Sequence, residues 1–539
     1  MSRADVMIVG AGPVGLMFAC ELSLHGVQGT VVLDPLPGPN PEPRANGVGG
    51  PAVRLLDHRG LYEQLTGSSQ PPSPSPTSTF AALSFPVEVA ASTQNYLMPL
   101  QQPVLNRALA ERADDLGIDV RWGHRLVGFT AGRDGVTADI DGPTGRYTMN
   151  AGYVIGADGG RGITRKLAGI DYVGMSSRDS VFRMGRGLTP APGWAEKVTG
   201  HAQIPGTQLQ RAPFVRTETG MFFLITNPHL SMVGTLELAP SADDTYVPGR
   251  EHPGFGDQLT MAELRDSIRR VLGFDLPMHP VRTDDDVDLR TYAGINTLIA
   301  ERYRQDRVLL VGDAAHVQSA MGGPGLNLGL QDAANLAWKL AAVVRGDMTP
   351  ELLDTYETER RIAAECAITV SRAQFALMRP GPEVTALCQV MGDLATQPAA
   401  AQRLAELVSL SDIRYPTTPG DHPAVGKWVP DLPISTTDPT VTRIAQLTHD
   451  GRPLLLDFTG NGTIAEAAAD AGNTIQVVRA TASEPTGLTA ILIRPDGYVA
   501  WASSDPAPNV PSLDRTLRQW LGIALNADRG GNDHAPSAS

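Results

Sequence analysis

An α/β fold class, α+β taken over the whole chain, is predicted from three observations. The chain opens with a strand, a glycine turn, a helix and a second strand. Near residue 176 its texture changes to short β-like pieces. After a proline-rich stretch at 415–423, strands and helices alternate again in a small terminal unit. Alternating β and α elements favour parallel sheets covered by helices, whereas runs of strands favour antiparallel sheets.

The elements follow in order. Asp5–Val9 reads as a buried strand, Val14 to about His25 as a helix and Thr30–Leu33 as the next strand. Residues 35–51, rich in Pro, Gly and Asn, read as a long loop, and Pro51–Leu65 returns to helical spacing. The stretch QPPSPSPTST at 70–79 reads as a linker or mobile loop, because prolines and small polar residues cannot build a packed element. A helix is expected at Pro103–Leu116, stopped by Gly117. Strands follow near Asp119–Trp122, Val136–Ile140 and Tyr153–Gly156. In the middle of the chain, Gly220–Thr226 and Ser231–Leu238 read as strands and Thr260–Leu272 as a helix. Arg307–Val311 reads as a buried strand, and helices are expected at Pro324–Arg345, Pro350–Leu377 and Pro382–Val408. Pro453–Phe458, Thr474–Arg479 and Ala490–Arg494 are the strands of the terminal unit. The expected domains are 1–175, with a 70–97 excursion toward the second domain, then a sheet-rich 176–285. Residues 286–415 return to the first domain, 416–525 form the terminal unit, and 526–539 are a disordered tail.

Composition bounds the function. A chain of 539 residues has room for about three domains. A hydrophobic content of 42% with 19% charged residues is that of a globular protein. The net charge of −14 and the lack of a basic run exclude nucleic acid as a partner. Three scattered cysteines, Cys20, Cys366 and Cys388, form no C-x-x-C pair, which points to a reducing cytoplasm. The apolar Val6–Leu24 stretch is broken by Glu21 and by glycines, so it reads as neither secretory signal nor membrane span. The sequence lacks the G-x-S-x-G elbow of a hydrolase and the H-E-x-x-H pattern of a metalloprotease; no metal is expected.

Gly10-Ala11-Gly12-Pro13-Val14-Gly15 is a G-x-G-x-x-G turn between strand and helix. The first glycine permits the tight turn, the second admits a pyrophosphate to the backbone, and the third lets helix and strand pack closely. The helix N-terminus then offers free N–H groups to the phosphates. Asp34 ends the second strand, about 20 residues on, where a carboxylate accepts hydrogen bonds from a ribose. Strand, turn, helix and acidic terminus together predict a Rossmann-like dinucleotide site, with FAD and NAD both open at this point.

Two further segments narrow that choice. Tyr153–Arg165 reads YVIGADGGRGITR, and Arg307–Gly329 reads RVLLVGDAAHVQSAMGGPGLNLG. With the first turn and Arg44 in its PRA tripeptide, they resemble the class A flavoprotein monooxygenases, the family of para-hydroxybenzoate hydroxylase and phenol hydroxylase. The likeness covers nearly the whole chain and is strongest to the bacterial aromatic-polyketide-tailoring branch. It implies an FAD-binding domain, a mixed-sheet substrate domain and a C-terminal thioredoxin-like domain. The ILIRPDGYVAW segment, Ile491–Trp501, carries the last part. That unit has no cysteine, so its expected role is structural or at an interface rather than redox.

The resemblance also implies roles by position. Gly10, Gly12, Pro13, Val14 and Gly15 would cradle the pyrophosphate of FAD, and Asp34 would bind the adenosine ribose. Arg44 and Gln102 would contact the pyrophosphate and ribityl region, and Asp313 the ribityl chain. Backbone at Gly325, Leu326 and Asn327 would face the flavin pyrimidine ring. Asp158 lies in a motif linked to both FAD and NAD(P)H. NADPH or NADH would reduce the flavin as a transient co-substrate. Oxygen would then reach an aromatic polyketide through a flavin C4a-hydroperoxide, with Baeyer–Villiger insertion or epoxidation as alternative outcomes. A non-catalytic flavin-binding protein is the remote alternative, and a homodimer is compatible with the reading. Pro324 stands at the first helical position, where proline has no N–H to lose. His316 reads as a packing or hydrogen-bonding residue. Ser319 and Ala320 replace two prolines usual in the family, and Gly162 a frequent serine. Met221, Phe222, Phe223 and Met232 are read either as the wall of a large apolar pocket or as ordinary sheet core.

Overall fold

A parallel sheet grows from the N-terminal strand because its residues are apolar on both faces. Val6, Met7 and Ile8 have no exposed surface, and Thr30–Asp34 is buried throughout. The computed structural model describes residues 3–89, 94–194, 214–227, 230–238, 255–283, 287–318, 323–472 and 474–525. Across the sheet the order is Val308–Leu310, Gly145–Gly156, Arg3–Val9, Thr30–Asp34 and Asp119–Trp122, each pair parallel. All three sequence motifs therefore leave neighbouring strands at the same end. Such strand ends are where open α/β sheets bind ligands.

Two helices cover one face of this sheet. Pro13–Leu24 buries Leu16, Met17, Phe18, Ala19, Cys20 and Leu22. Pro324–Arg345 runs as expected from its leading proline to Gly346, which closes it in the left-handed conformation at φ 80°. Buried on so many sides, both helices belong to the interior rather than to a solvent face.

A second sheet is antiparallel. Its order is Phe214–Thr217, Gly220–Asn227, Leu230–Leu238, Tyr172–Arg186, Asp288–Ala300 and Phe255–Gln258, with His316–Val317 joining the Asp288–Ala300 strand. Its strands begin at Tyr172 and end at Ala300, beyond the 176–285 texture change on both sides. The reason is that one long strand starts, and the other ends, in the core of the first sheet, at Tyr172 and Ala300. Met261–Leu272 packs on one face, with a capping box between Thr260 and Glu263.

The terminal unit is a four-stranded sheet of order Gln476–Arg479, Leu454–Asp457, Ala490–Ile493 and Val499–Ser503, its first pair parallel and the others antiparallel. This is a thioredoxin-like arrangement, with Val510–Leu521 packed against it through Leu513 and Leu517.

Several local expectations are corrected. Residues 35–51 hold a short strand, Gly47–Gly49, paired with Leu97–Pro99. Part of the 70–79 stretch is ordered as a hairpin, Thr77–Phe80 with Leu83–Pro86. Pro51–Leu65 divides into Pro51–His58 and Leu61–Thr66, because Gly60 adopts φ 69° between them. Pro382–Val408 divides at Pro398, whose ring and missing N–H cannot continue a helix. Arg125–Ala131 is a strand that the sequence reading missed, since only Leu126 in it is buried. Residues 526–539 lie outside the described ones. Among the described residues, no helix is long and apolar enough to cross a membrane.

Candidate cofactor site

The first turn is shaped by backbone sterics. Gly10 sits at φ 107°, a conformation that a side chain disfavours, and a Cβ there would lie 2.5 Å from the Ala157 carbonyl oxygen. A Cβ at Gly15 would lie 1.9 Å from the Gly10 oxygen. Gly12 differs: beyond its own chain neighbours, no atom lies within 4 Å of the position its Cβ would take. Two glycines thus close the fold, and the third leaves open space beside a helix N-terminus. Asp34 ties the turn to its strand, accepting hydrogen bonds from Ala11 N at 2.7 Å and Leu36 N at 2.9 Å. Each of its oxygens keeps a lone pair for a hydroxyl donor.

The second motif meets the first at Gly10 and Ala157. Asp158 Oδ2 accepts hydrogen bonds from Thr164 N and Oγ1, both at 2.9 Å, while its Oδ1 is buried without a partner. Burial pushes its carboxyl above the usual range, against the Thr164 bonds. A Cβ at Gly162 would lie 2.2 Å from the Asp158 carboxylate carbon, so the serine usual at this point would require that side chain to turn away.

The third motif packs against the first helix. A Cβ at Gly329 would lie 2.5 Å from Val14 Cγ2 and 3.2 Å from Gly312 Cα. Gly312 itself sits at φ 59° and Gly323 at φ 64°, both left-handed. Between them Asp313 exposes its side chain although protein crowds around it, as a group on the floor of a cleft does. That crowding pushes its carboxyl up, while His316 and Arg44 oppose the shift. A Cβ on Gly325 would be 3.4 Å from Asp313 Oδ1 and 3.5 Å from Gln318 Nε2, so carboxylate, amide and helix start converge. Both polar atoms of the Gln318 side chain are buried without a partner. Leu326 is half-buried. Asn327 accepts a hydrogen bond from Gly49 N at 3.0 Å and donates one to the Gly323 oxygen at 3.0 Å.

Arg44 is 59% exposed on its loop and pairs with Glu42 at 3.0 Å. Gln102 Oε1 accepts a hydrogen bond from Ala45 N at 3.2 Å and so fixes the loop that carries Arg44. Ser319 and Ala320 lie outside the described residues, as does Gly322.

Beside this cleft lies one face of the antiparallel sheet. Phe182 and Phe223 stack on it with ring centroids 5.0 Å apart, joined by Met184, Met232 and Tyr292. Asn46 crosses from the Arg44 loop, its Nδ2 3.9 Å from Met232 Sδ and its Oδ1 buried without a partner. Met221, Phe222 and Phe223 are buried sheet core, at most 1% exposed. Phe222 points to the helix side and Phe223 to the cleft side.

His316 is buried, its Nε2 2.7 Å from Asp332 Oδ2. Asp332, Arg360, Tyr172 and Gln318 were not singled out in the sequence. Asp332 and Arg360 left a trace there, as charged residues inside helices that otherwise bury small and apolar side chains. Tyr172 left none; its hydroxyl donates to the Asp313 carbonyl at 2.6 Å.

The residues present fit a flavin dinucleotide. Open space lies over Gly12, and unpartnered polar atoms gather where Asp313, Gln318 and Gly325 converge. Comparison with known proteins agrees. Residues 3–371 match the family described as FAD binding domain. Residues 422–524 match that described as aromatic-ring hydroxylase, C-terminal. A 12-dehydrotetracycline 5-monooxygenase/anhydrotetracycline 6-monooxygenase of Streptomyces rimosus is 36% identical, over 96% of this chain and 99% of that one. The solved OxyS anhydrotetracycline hydroxylase from Streptomyces rimosus superposes with a TM-score of 0.80 at 34% identity, covering 97% of this chain and all of that one. A dialkyldecalin synthase of Streptomyces rugosporus is 31% identical over 96% of this chain and 99% of that one. The three motifs, the two matched regions and the tetracycline-named full-length relatives agree that the chain belongs to the FAD-dependent aromatic-ring hydroxylase family and is a flavoprotein monooxygenase.

Proposed function

We propose that the protein hydroxylates a large fused-ring aromatic molecule, a polycyclic aromatic polyketide, using NAD(P)H and dioxygen. The observation that carries this reading is the placement of the stacked Phe182–Phe223 face. Met232 on that face meets Asn46 of the Arg44 loop, and the same loop meets the flavin turn through Gly49 and Asn327. The half-buried rings of Phe182 and Tyr292, backed by the buried Phe223, give that face an apolar surface that suits a flat ring system and keeps water from the reacting atoms. The tetracycline-named relative supports the same class.

FAD, when bound, accepts hydride and activates oxygen. The chain's own residues do the rest. Gly12 and the N-terminus of the Pro13–Leu24 helix bind the pyrophosphate, and Asp34 accepts from the adenosine ribose. Asp313 accepts from a ribityl hydroxyl, since an ionised carboxylate is acceptor only. Arg44, on the loop fixed by Gln102, reaches the pyrophosphate and ribityl region, and Asp158 lies where the second motif faces the dinucleotides. The free N–H groups of Gly325, Leu326 and Asn327 open the Pro324–Arg345 helix and hold negative charge on the flavin's pyrimidine edge.

Purified holoenzyme is to be given NADPH, air and candidate anthracycline- or tetracycline-type aglycones. Substrate-stimulated NADPH oxidation, with a product heavier by one oxygen and an aromatic hydroxyl in its NMR spectrum, is expected. A product without added oxygen, formed equally well in the absence of NAD(P)H, would overturn the reading and favour a ring-forming synthase. Lactone or epoxide signals would move the reaction to the other monooxygenase outcomes.

A further inference from the structure

The C-terminal unit supplies none of the residues assigned to FAD, yet it joins the flavin turn through buried groups. Gly312 N donates to Asp332 Oδ2 at 3.1 Å, and His316 donates to the same oxygen at 2.7 Å. One carboxylate oxygen thus fastens both ends of the short turn that carries Asp313. The other oxygen, Oδ1, accepts from Arg360 Nε at 2.7 Å. Arg360 also donates to the Leu328 carbonyl at 3.3 Å and to the Tyr415 hydroxyl at 3.2 Å. The Tyr415 ring lies on Tyr498 of the C-terminal unit, centroids 3.8 Å apart and planes 15° apart. Asp332, Arg360 and His316 have no exposed surface.

A second line runs beside the first. Asn335, on the same helix as Asp332, donates to Asp496 at 2.8 Å and to Glu359 at 2.7 Å. Lys339 donates to Glu359 at 2.6 Å, and Arg494 donates to the same carboxylate at 2.8 Å. The C-terminal unit therefore grips both the flavin helix and the helix bearing Arg360. Buried charges of this kind are costly unless every partner is present, so the arrangement behaves as one body. Elsewhere the two bodies are joined through the Pro51–His58 helix, where Arg443 pairs with Asp57.

We propose that Asp332, Arg360 and Tyr415 form a positioning relay through which the docked C-terminal unit sets the Gly312–His316 turn, and with it Asp313, for FAD. The relay rests on the assignment of FAD to this turn. It makes the C-terminal unit part of the cofactor site, although no atom of that unit is asked to touch the cofactor.

The test uses full-length protein stripped of flavin and titrated with FAD. Tyr415→Phe removes the hydroxyl and keeps the ring on Tyr498. Arg360→Lys keeps the charge but loses the fork that reaches Asp332 and Tyr415 together. Arg443→Ala cuts a docking pair outside the relay. The relay predicts that Tyr415→Phe weakens FAD binding about three- to tenfold and Arg360→Lys by more than tenfold, the loss of one and of several buried hydrogen bonds. Both variants are also expected to alter the absorption spectrum and reduction potential of the bound flavin, which docking stability alone would not move. Arg443→Ala is expected to stay within twofold with an unchanged spectrum. Wild-type affinity and spectrum in Tyr415→Phe, or in Arg360→Lys where only that variant folds, would overturn the relay. So would an Arg443→Ala loss as large as that of Tyr415→Phe. Failure of the unmodified protein to take up FAD would instead end the cofactor assignment itself.

Discussion

The Gly10–Gly15 turn and the Gly312–His316 turn meet at Val14, but they are held in place by different forces. The first has no room for a side chain at Gly10 or Gly15, where a Cβ would run into backbone. Among the described residues, its side-chain hydrogen bond is the one from Ala11 N to Asp34. The second turn is fastened from behind by Asp332, His316, Arg360 and the Tyr172 hydroxyl. Sterics of the first kind act between Gly15 and Gly10 within the turn and between Gly10 and the Ala157 backbone on the neighbouring strand. The charges of the second kind come from two helices and reach on to the C-terminal unit. A local turn tolerates changes in pH and salt, whereas a turn held by buried ions depends on every partner keeping its charge.

The sharpest way to break the comparison is Gly15→Val. With the Gly10 oxygen 1.9 Å from the new Cβ, the helix cannot stay on its strand. Purified variant is expected to be colourless, and full flavin occupancy would show that the closure is not needed.

Acid is expected to act on the charge-held region. Burial raises the Glu359 carboxyl, but Arg494 and Lys339 outweigh it and bring it down to about 2. Stability from that depressed group is fully present above its ordinary value of 4.5 and is lost as pH falls from there through about 2. Its size is roughly 3 kcal/mol. His25 adds the same sign: burial, with Arg59 and Arg345, lowers it to about 3, so the unfolded chain takes up a proton first as pH falls below 6.5. Thermal unfolding followed from pH 7 to pH 3 is expected to show falling stability, and Glu359→Gln a flatter profile from a lower start. A variant profile parallel to the wild type would remove Glu359 from the account.

Asp313→Ala comes next. Loss of a charged hydrogen bond to a sugar hydroxyl costs about 2 kcal/mol, or roughly thirtyfold in FAD affinity. A fully flavinated and active variant would count against its assigned role. Gly12→Ala has the smallest expected effect and the cleanest contrast. Gly12 has ordinary backbone angles, φ −73° and ψ 178°, and free space around it. Its melting temperature without flavin is expected to match the wild type, while FAD binding weakens about tenfold because the new methyl meets the phosphates. An apoprotein that unfolds readily would place Gly12 with Gly10 and Gly15 as a glycine of the fold.

The sequence by itself determined whatever rests on neighbouring residues. The βαβ opening, the glycine turn and the Pro324–Arg345 helix are legible because each follows from backbone freedom, a helix start or an apolar run within a few positions. Family, cofactor and reaction class were legible because three such local motifs occur together in one order. Only the tertiary structure decided which polar groups meet across hundreds of residues. Nothing near Asp332 in the chain announces Gly312 N, and nothing near Tyr415 announces Tyr498. Nothing near Gln102 in the chain announces Ala45 N, from which its Oε1 accepts. Phe222 and Phe223 were alike in sequence, and strand alternation alone put one on the helix side and the other on the cleft side. Local propensity is set by short-range backbone energetics; partner choice among buried charges and rings is set by desolvation, which exists only once the chain has folded.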